Sequence, residues 1–114
     1  MASYRSQPIS QVEIEGEILR LLDMLEEETE AFETLAQDAA KKEALHKSNW
    51  AKEYLAAKGS IKEREAWADY KLSDESFNWK IAEALVKTKR EKLVSVRNSL
   101  DALRTLAANV RQQV

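Results

Sequence analysis

Apolar residues recur along most of this chain at steps of three and four, the period of an α-helix with one buried face. The run Ile14, Ile18, Leu22, Leu25, Phe32, Ala36, Ala39, Trp50 and Tyr54 predicts one long helix over residues 11–57. Thr29 falls where that stripe wants an apolar side chain. A second run, Trp79, Ala82, Val86, Lys89, Leu93, Val96, Leu100, Leu103, Ala107 and Val110, alternates three and four without slipping. That is a heptad seam holding one lysine, and it predicts a second helix over residues 61–112.

Between the two runs stands Lys58-Gly59-Ser60, the one strong turn signal of the interior. Glycine suits the left-handed residue that ends a helix, and Ser60 with Glu63 has the spacing of a capping box that starts the next. Ser10 with Glu13 repeats that spacing at the head of the first helix. The chain holds two glycines and one proline, and Pro8 and Gly16 lie too near its start to reverse it. The expected fold is all-α: a long antiparallel helical hairpin, coiled-coil-like, with arms of about 70 Å at 1.5 Å rise per residue. Residues 10–114 form one hairpin domain behind a tail of residues 1–9. Ser73-Asp74-Glu75-Ser76 is the weakest stretch of the second helix, the place for a kink or a break.

Composition adds one structural expectation. Of the 114 residues 44% are hydrophobic and 33% charged, which is too apolar for a disordered chain. Two helices alone bury one stripe each, and so thin a core offsets little ordering entropy, so a homo-oligomer is expected. The absence of cysteine removes disulfides, thiolate nucleophiles and cysteine-type zinc sites. Apolar pairs such as Ile18-Leu19 and Leu21-Leu22 are broken by Arg20 and Asp23, far short of a membrane span. Residues 1–7 show one arginine and no hydrophobic run, so no signal peptide is expected, and the reading is a cytoplasmic protein with no membrane partner.

The net charge of −2 conceals a strong asymmetry. Residues 1–40 hold ten acids against Arg5 and Arg20 and so sum to −8, leaving +6 for the rest. Folding at Gly59 would set residues whose numbers total about 118 opposite each other, given equal rises on both arms. Glu26, Glu27, Glu28 and Glu30 would then face Lys87, Lys89, Arg90 and Lys92, so that the acidic arm selects its own basic arm in register.

Catalytic chemistry has little to work with. One histidine, no cysteine and no glycine-rich loop leave no triad, dinucleotide fingerprint or phosphate cradle, so no enzyme and no cofactor are expected. Glu43-x-x-His46 has the spacing used in carboxylate-bridged di-iron bundles, with Glu75 roughly across from Glu43. Lys41, Lys42 and Lys47 beside it would oppose a dication, so no metal ligand is assigned.

The tip carries a different pattern. Residues 41–71 net +3 and interleave Lys52, Lys58, Lys62, Arg64 and Lys71 with Trp50, Tyr54, Trp67 and Tyr70. Cations that follow a phosphate backbone, mixed with rings on which bases stack, are the ingredients of single-stranded nucleic-acid binding. The same rings could equally plug the core of the tip while the lysines solvate it, and the residues alone leave both readings open.

Two stretches carry a family resemblance. Ser99-Leu100-Asp101-Ala102-Leu103-Arg104-Thr105, followed by Ala108-Asn109-Val110-Arg111, resembles the end of small bacteriophage recombination mediators of the UvsY type. Gly59-Ser60-Ile61-Lys62-Glu63-Arg64-Glu65-Ala66 is similar to the DNA-handling part of those proteins, and the resemblance spans about residues 40–112. It implies a ring-forming helical hairpin that binds single-stranded DNA and helps a RecA-like recombinase displace single-strand-binding protein. Lys58, Lys62 and Arg64 are the positions that carry over as DNA contacts, with Lys52 and Lys71 as weaker companions. The C-terminal helix, through Leu93, Val96, Leu100, Leu103 and Val110, would be the oligomerisation element. An overall acidic chain, pI about 5.5, departs from what a DNA-coating protein prefers, unless the acidic arms point away from the DNA. The alternatives are a structural or adaptor coiled-coil hairpin that binds another protein, and a ferritin-like dimeric metal site at His46.

Overall fold

The computed structural model describes residues 9–112, so the expected tail lies outside the described residues except for Ile9. All of the described secondary structure is helical, with no strand. Three helices follow one another: α1 (Gln11–Ala56), α2 (Ile61–Lys71) and α3 (Ser73–Gln112). At the head of α1 the Glu13 N–H donates to Ser10 Oγ at 3.2 Å, supplying one of the orphan amides of the first turn with an acceptor.

The reversal falls at Gly59, whose φ of +118° lies where side-chain-bearing residues are strained. Ser60 then caps α2 with both arms of the capping box. The Glu63 N–H donates to Ser60 Oγ at 3.2 Å, and the Ser60 N–H donates to Glu63 Oε1 at 3.4 Å.

Where one second helix was expected there are two, interrupted at Leu72, with φ −109° and ψ 21°. The Leu72 N–H still donates to the Ala68 carbonyl at 3.0 Å, so the interruption is a single residue. Ser73-Asp74-Glu75-Ser76 does not kink internally but opens α3. Short polar and acidic residues suit a helix N-terminus, where they meet unpaired amides and the positive end of the dipole.

The described chain forms two compact units. One runs Ala31–Arg90, and the other joins the residues up to Glu30 with those from Glu91 onward. In the second, Leu21, Val96 and Leu100 form the core, with Ile18, Met24, Leu25 and Leu103 packed on it. Ile14, at 2% exposure, is the most deeply buried large side chain. Each fully buried aliphatic side chain contributes about 1.5–3 kcal/mol. The α1 stripe differs here from the expected one: Leu21 is in the core and Leu22 is exposed. Thr29 turns its hydroxyl back onto the Leu25 carbonyl at 2.7 Å, satisfying it within its own helix.

All ten positions of the expected α3 seam, from Trp79 to Val110, are buried or half-buried. This has a consequence for the expected oligomerisation residues. Leu93, Val96 and Leu100 are already buried, and Leu103 and Val110 half-buried, within one chain. Packing against α1 uses the seam, so these side chains are not an open face awaiting a second copy.

In the Ala31–Arg90 unit the C-terminal part of α1 packs antiparallel against α2 and the start of α3. The residue numbers of facing partners total 118 for Tyr54 with Arg64 and 119 for Trp50 with Asp69. Past Leu72 the total rises to 125 for His46 with Trp79, so the returning arm lags after the interruption. The Arg90 guanidinium sits 5.6 Å from the centre of the Phe32 ring, a cation–π contact. Among the described residues no helix is long and apolar enough to cross a membrane.

Candidate nucleic-acid interface

The expected DNA-contact residues all lie in the Ala31–Arg90 unit, on either side of Gly59. They divide into an inner and an outer set. Trp50 and Tyr54, one turn apart on α1, stack nearly parallel at 5.3 Å and 12°, and both are half-buried. Arg64 from α2 lies over the Tyr54 ring at 5.9 Å, half-buried, and its Nε is buried without a hydrogen-bond partner. Arg64 is therefore drawn into the hairpin as a lid on Tyr54, where the sequence pattern expected a phosphate contact.

Trp50 and Trp67 are each tied to the opposite helix through a carboxylate. Trp50 Nε1–H donates across the hairpin to Asp69 Oδ1 at 2.8 Å, and Trp67 Nε1–H donates back to Glu53 Oε2 at 3.1 Å. This reciprocal pair ties α1 to α2 and fixes both ring planes. Asp69 and Glu53 were not singled out in the sequence. Their signal is position: numbers totalling 119 and 120 about the turn place each carboxylate opposite an indole.

The outer set faces solvent. Trp67 is 44% exposed and Tyr70 74% exposed, with ring centres 6.1 Å apart and planes tilted by 45°. Lys71 lies 5.5 Å from the centre of the Trp67 ring. Lys52, Lys58 and Lys62 are exposed, and no ion pair engages them among the described residues. Lys42 and Lys47, by contrast, are held by Asp38 at 2.9 Å and Glu43 at 2.7 Å. The hydrogen bond to Glu43 holds the Lys47 ammonium above the usual lysine range.

Glu43 and His46 are not brought together as a metal pair. Glu43 accepts from Lys47, whereas His46 stacks on Trp79 at 5.3 Å with its Nδ1 4.0 Å from Glu75 Oε1. Glu75 in turn accepts from Asn49 Nδ2 at 3.2 Å. Among the described residues no group of three or more His, Cys, Asp or Glu side chains could hold a metal ion. An open groove of about 460 Å³ lies beside His46, lined also by Asp69, Ser73, Ser76, Phe77 and Lys80.

Chemically, the arrangement offers rings for stacking and lysines for phosphate. No known protein family, curated protein or solved structure matches this chain.

Proposed function

We propose that the tip of the hairpin binds single-stranded DNA. Acting without catalysis as a phage recombination mediator, the protein then assists a RecA-like recombinase in replacing single-strand-binding protein. The observation that carries the DNA reading is the exposed Trp67–Tyr70 pair with Lys71 over the indole and Lys58 on a groove that Trp67 also lines, together with the exposed, unpaired Lys52 and Lys62 of the same unit. Stacking on rings is tolerant of sequence, so such a surface reads strandedness. The mediator role rests on the resemblance of residues 59–66 and 99–111.

Fluorescence anisotropy with a labelled oligonucleotide tests the DNA reading. If the three lysines neutralise three phosphates, the log–log salt slope is roughly −2, and raising salt from about 50 to 200 mM weakens binding about 20-fold. Replacing Lys58 and Lys62 with alanine should flatten that slope. Failure to bind a single strand in low salt overturns the proposal. The mediator step is read separately, as the rate at which a recombinase displaces single-strand-binding protein with and without this protein.

A further inference from the structure

Beside the bend lies an open groove of about 510 Å³, lined by Glu53, Ala56, Ala57, Lys58, Glu63 and Trp67. Small-molecule sites occupy roughly 300–1,000 Å³, so there is room for a base. Its walls come from both sides of Gly59: α1 supplies Glu53 and Ala56, the connection Ala57 and Lys58, and α2 Glu63 and Trp67. The two alanines add little bulk, and the Trp67 ring is held by its Nε1–H, which donates to Glu53 Oε2 at 3.1 Å. Glu63 accepts from the Ser60 N–H through Oε1 at 3.4 Å. Each carboxylate thereby commits one oxygen and keeps the other, Glu53 Oε1 and Glu63 Oε2, without a hydrogen-bond partner among the described residues. Carboxylate oxygens only accept. The Lys58 ammonium, exposed and in no ion pair among the described residues, only donates.

We propose that this groove takes a guanine base, an inference that rests on the single-strand reading of the tip. A base stacked on Trp67 turns its edge to the carboxylates, and the four edges differ. Guanine alone sets two donors side by side, N1–H and N2–H₂, with the O6 acceptor next to them. Adenine and cytosine place a ring-nitrogen acceptor beside their amino group, and thymine flanks its N3–H with two carbonyls. A carboxylate receives guanine's two donors as a parallel pair of charge-assisted bonds, while Lys58 serves O6. The other three bases bring an acceptor against a carboxylate lone pair, which costs desolvation with no bond made. The same two glutamates repel phosphate, so for backbone contacts alone they are unfavourable, and a donor edge offsets that repulsion. The surface thus reads strandedness through its rings and lysines, and prefers guanine at the one position beside the bend.

Anisotropy titrations compare thymine strands of about twelve nucleotides in which isolated positions are replaced by guanine or by adenine. Isolated guanines keep the strand from associating with itself, and adenine controls for the larger purine ring. The guanine strand should bind at least about 5-fold more tightly than the adenine strand, the lower end of what a bidentate contact gives. Inosine, which lacks the 2-amino group, should lose most of that gain. Glu53→Gln combined with Glu63→Gln keeps an acceptor for the Trp67 Nε1–H and for the capping box, which admits glutamine. That variant should level guanine with adenine, yet bind the thymine strand no more weakly than the wild type. Equal affinity for the guanine and adenine strands, with the thymine strand still bound, overturns the guanine site and leaves the single-strand reading standing. A preference that survives both substitutions overturns the site as well. A chain that binds none of the strands in low salt overturns both readings.

Discussion

Gly59→Ala should destabilise the protein by about 1.5–4 kcal/mol, and the structure separates that into two parts. The first is backbone strain. A φ of +118° is open to glycine, whereas an L side chain held in such a region costs roughly 1–3 kcal/mol. The second is a collision. A Cβ at position 59 would stand 2.9 Å from Glu63 Oε2 and 3.1 Å from its Cδ. The Glu63 side chain would have to swing aside, giving up the 3.4 Å bond it accepts from the Ser60 N–H, worth roughly 0.5–1 kcal/mol. Urea unfolding followed by circular dichroism reads the total, and at a slope of about 1–3 kcal/mol per molar the midpoint falls by about 1 M. Glu63→Ala alone should cost only the second part. The double variant, free of the collision, should cost less than the two singles added together. A Gly59→Ala protein within about 0.5 kcal/mol of wild type would refute this account of the turn, and strict additivity would remove the collision from it.

Tyr70→Ala should weaken binding of a single-stranded oligonucleotide by about 5- to 150-fold, the equivalent of roughly 1–3 kcal/mol of lost stacking, with the melting curve unmoved. Tyr54→Ala should do the reverse: it strips a ring held between Trp50 and Arg64, so the urea midpoint falls while the outer platform remains. Leu100→Ala should cost about 2–5 kcal/mol in urea unfolding, since Leu100 is 3% exposed in the core with Leu21 and Val96.

The α3 seam was legible because steps of three and four alternate over ten positions from Trp79 to Val110, and that long alternation selects Val86 over Leu85 and Ala107 over Leu106. The α1 stripe was less so. Leu21 and Leu22 are adjacent and equally apolar, so the period admits either, and the choice of Leu21 is made by Val96 and Leu100 across the core. The turn was readable to the residue because glycine and the capping box act locally. The interruption falls at Leu72, just before Ser73 to Ser76, because the short polar and acidic residues that weaken a helix interior serve equally well to begin a helix. At the tip, ring and lysine identities were visible in the sequence, but not their division into buried and exposed sets. Both indoles find a carboxylate across the hairpin, so the division depends on which faces of α1 and α2 meet, a long-range fact absent from any local window.

The four-residue connection between α1 and α2 also bears on how the Ala31–Arg90 unit comes together. Tyr54 and Arg64 are ten positions apart, Glu53 and Trp67 fourteen, Trp50 and Asp69 nineteen, and Asn49 and Glu75 twenty-six. Closing a loop is cheapest when it is short, so the partners nearest the bend find each other at the least entropic cost. Each pair, once made, shortens the free chain for the one behind it, and the arms close like a zipper from the bend outward. The rings and lysines offered to a ligand are thus the part of this unit that takes shape first.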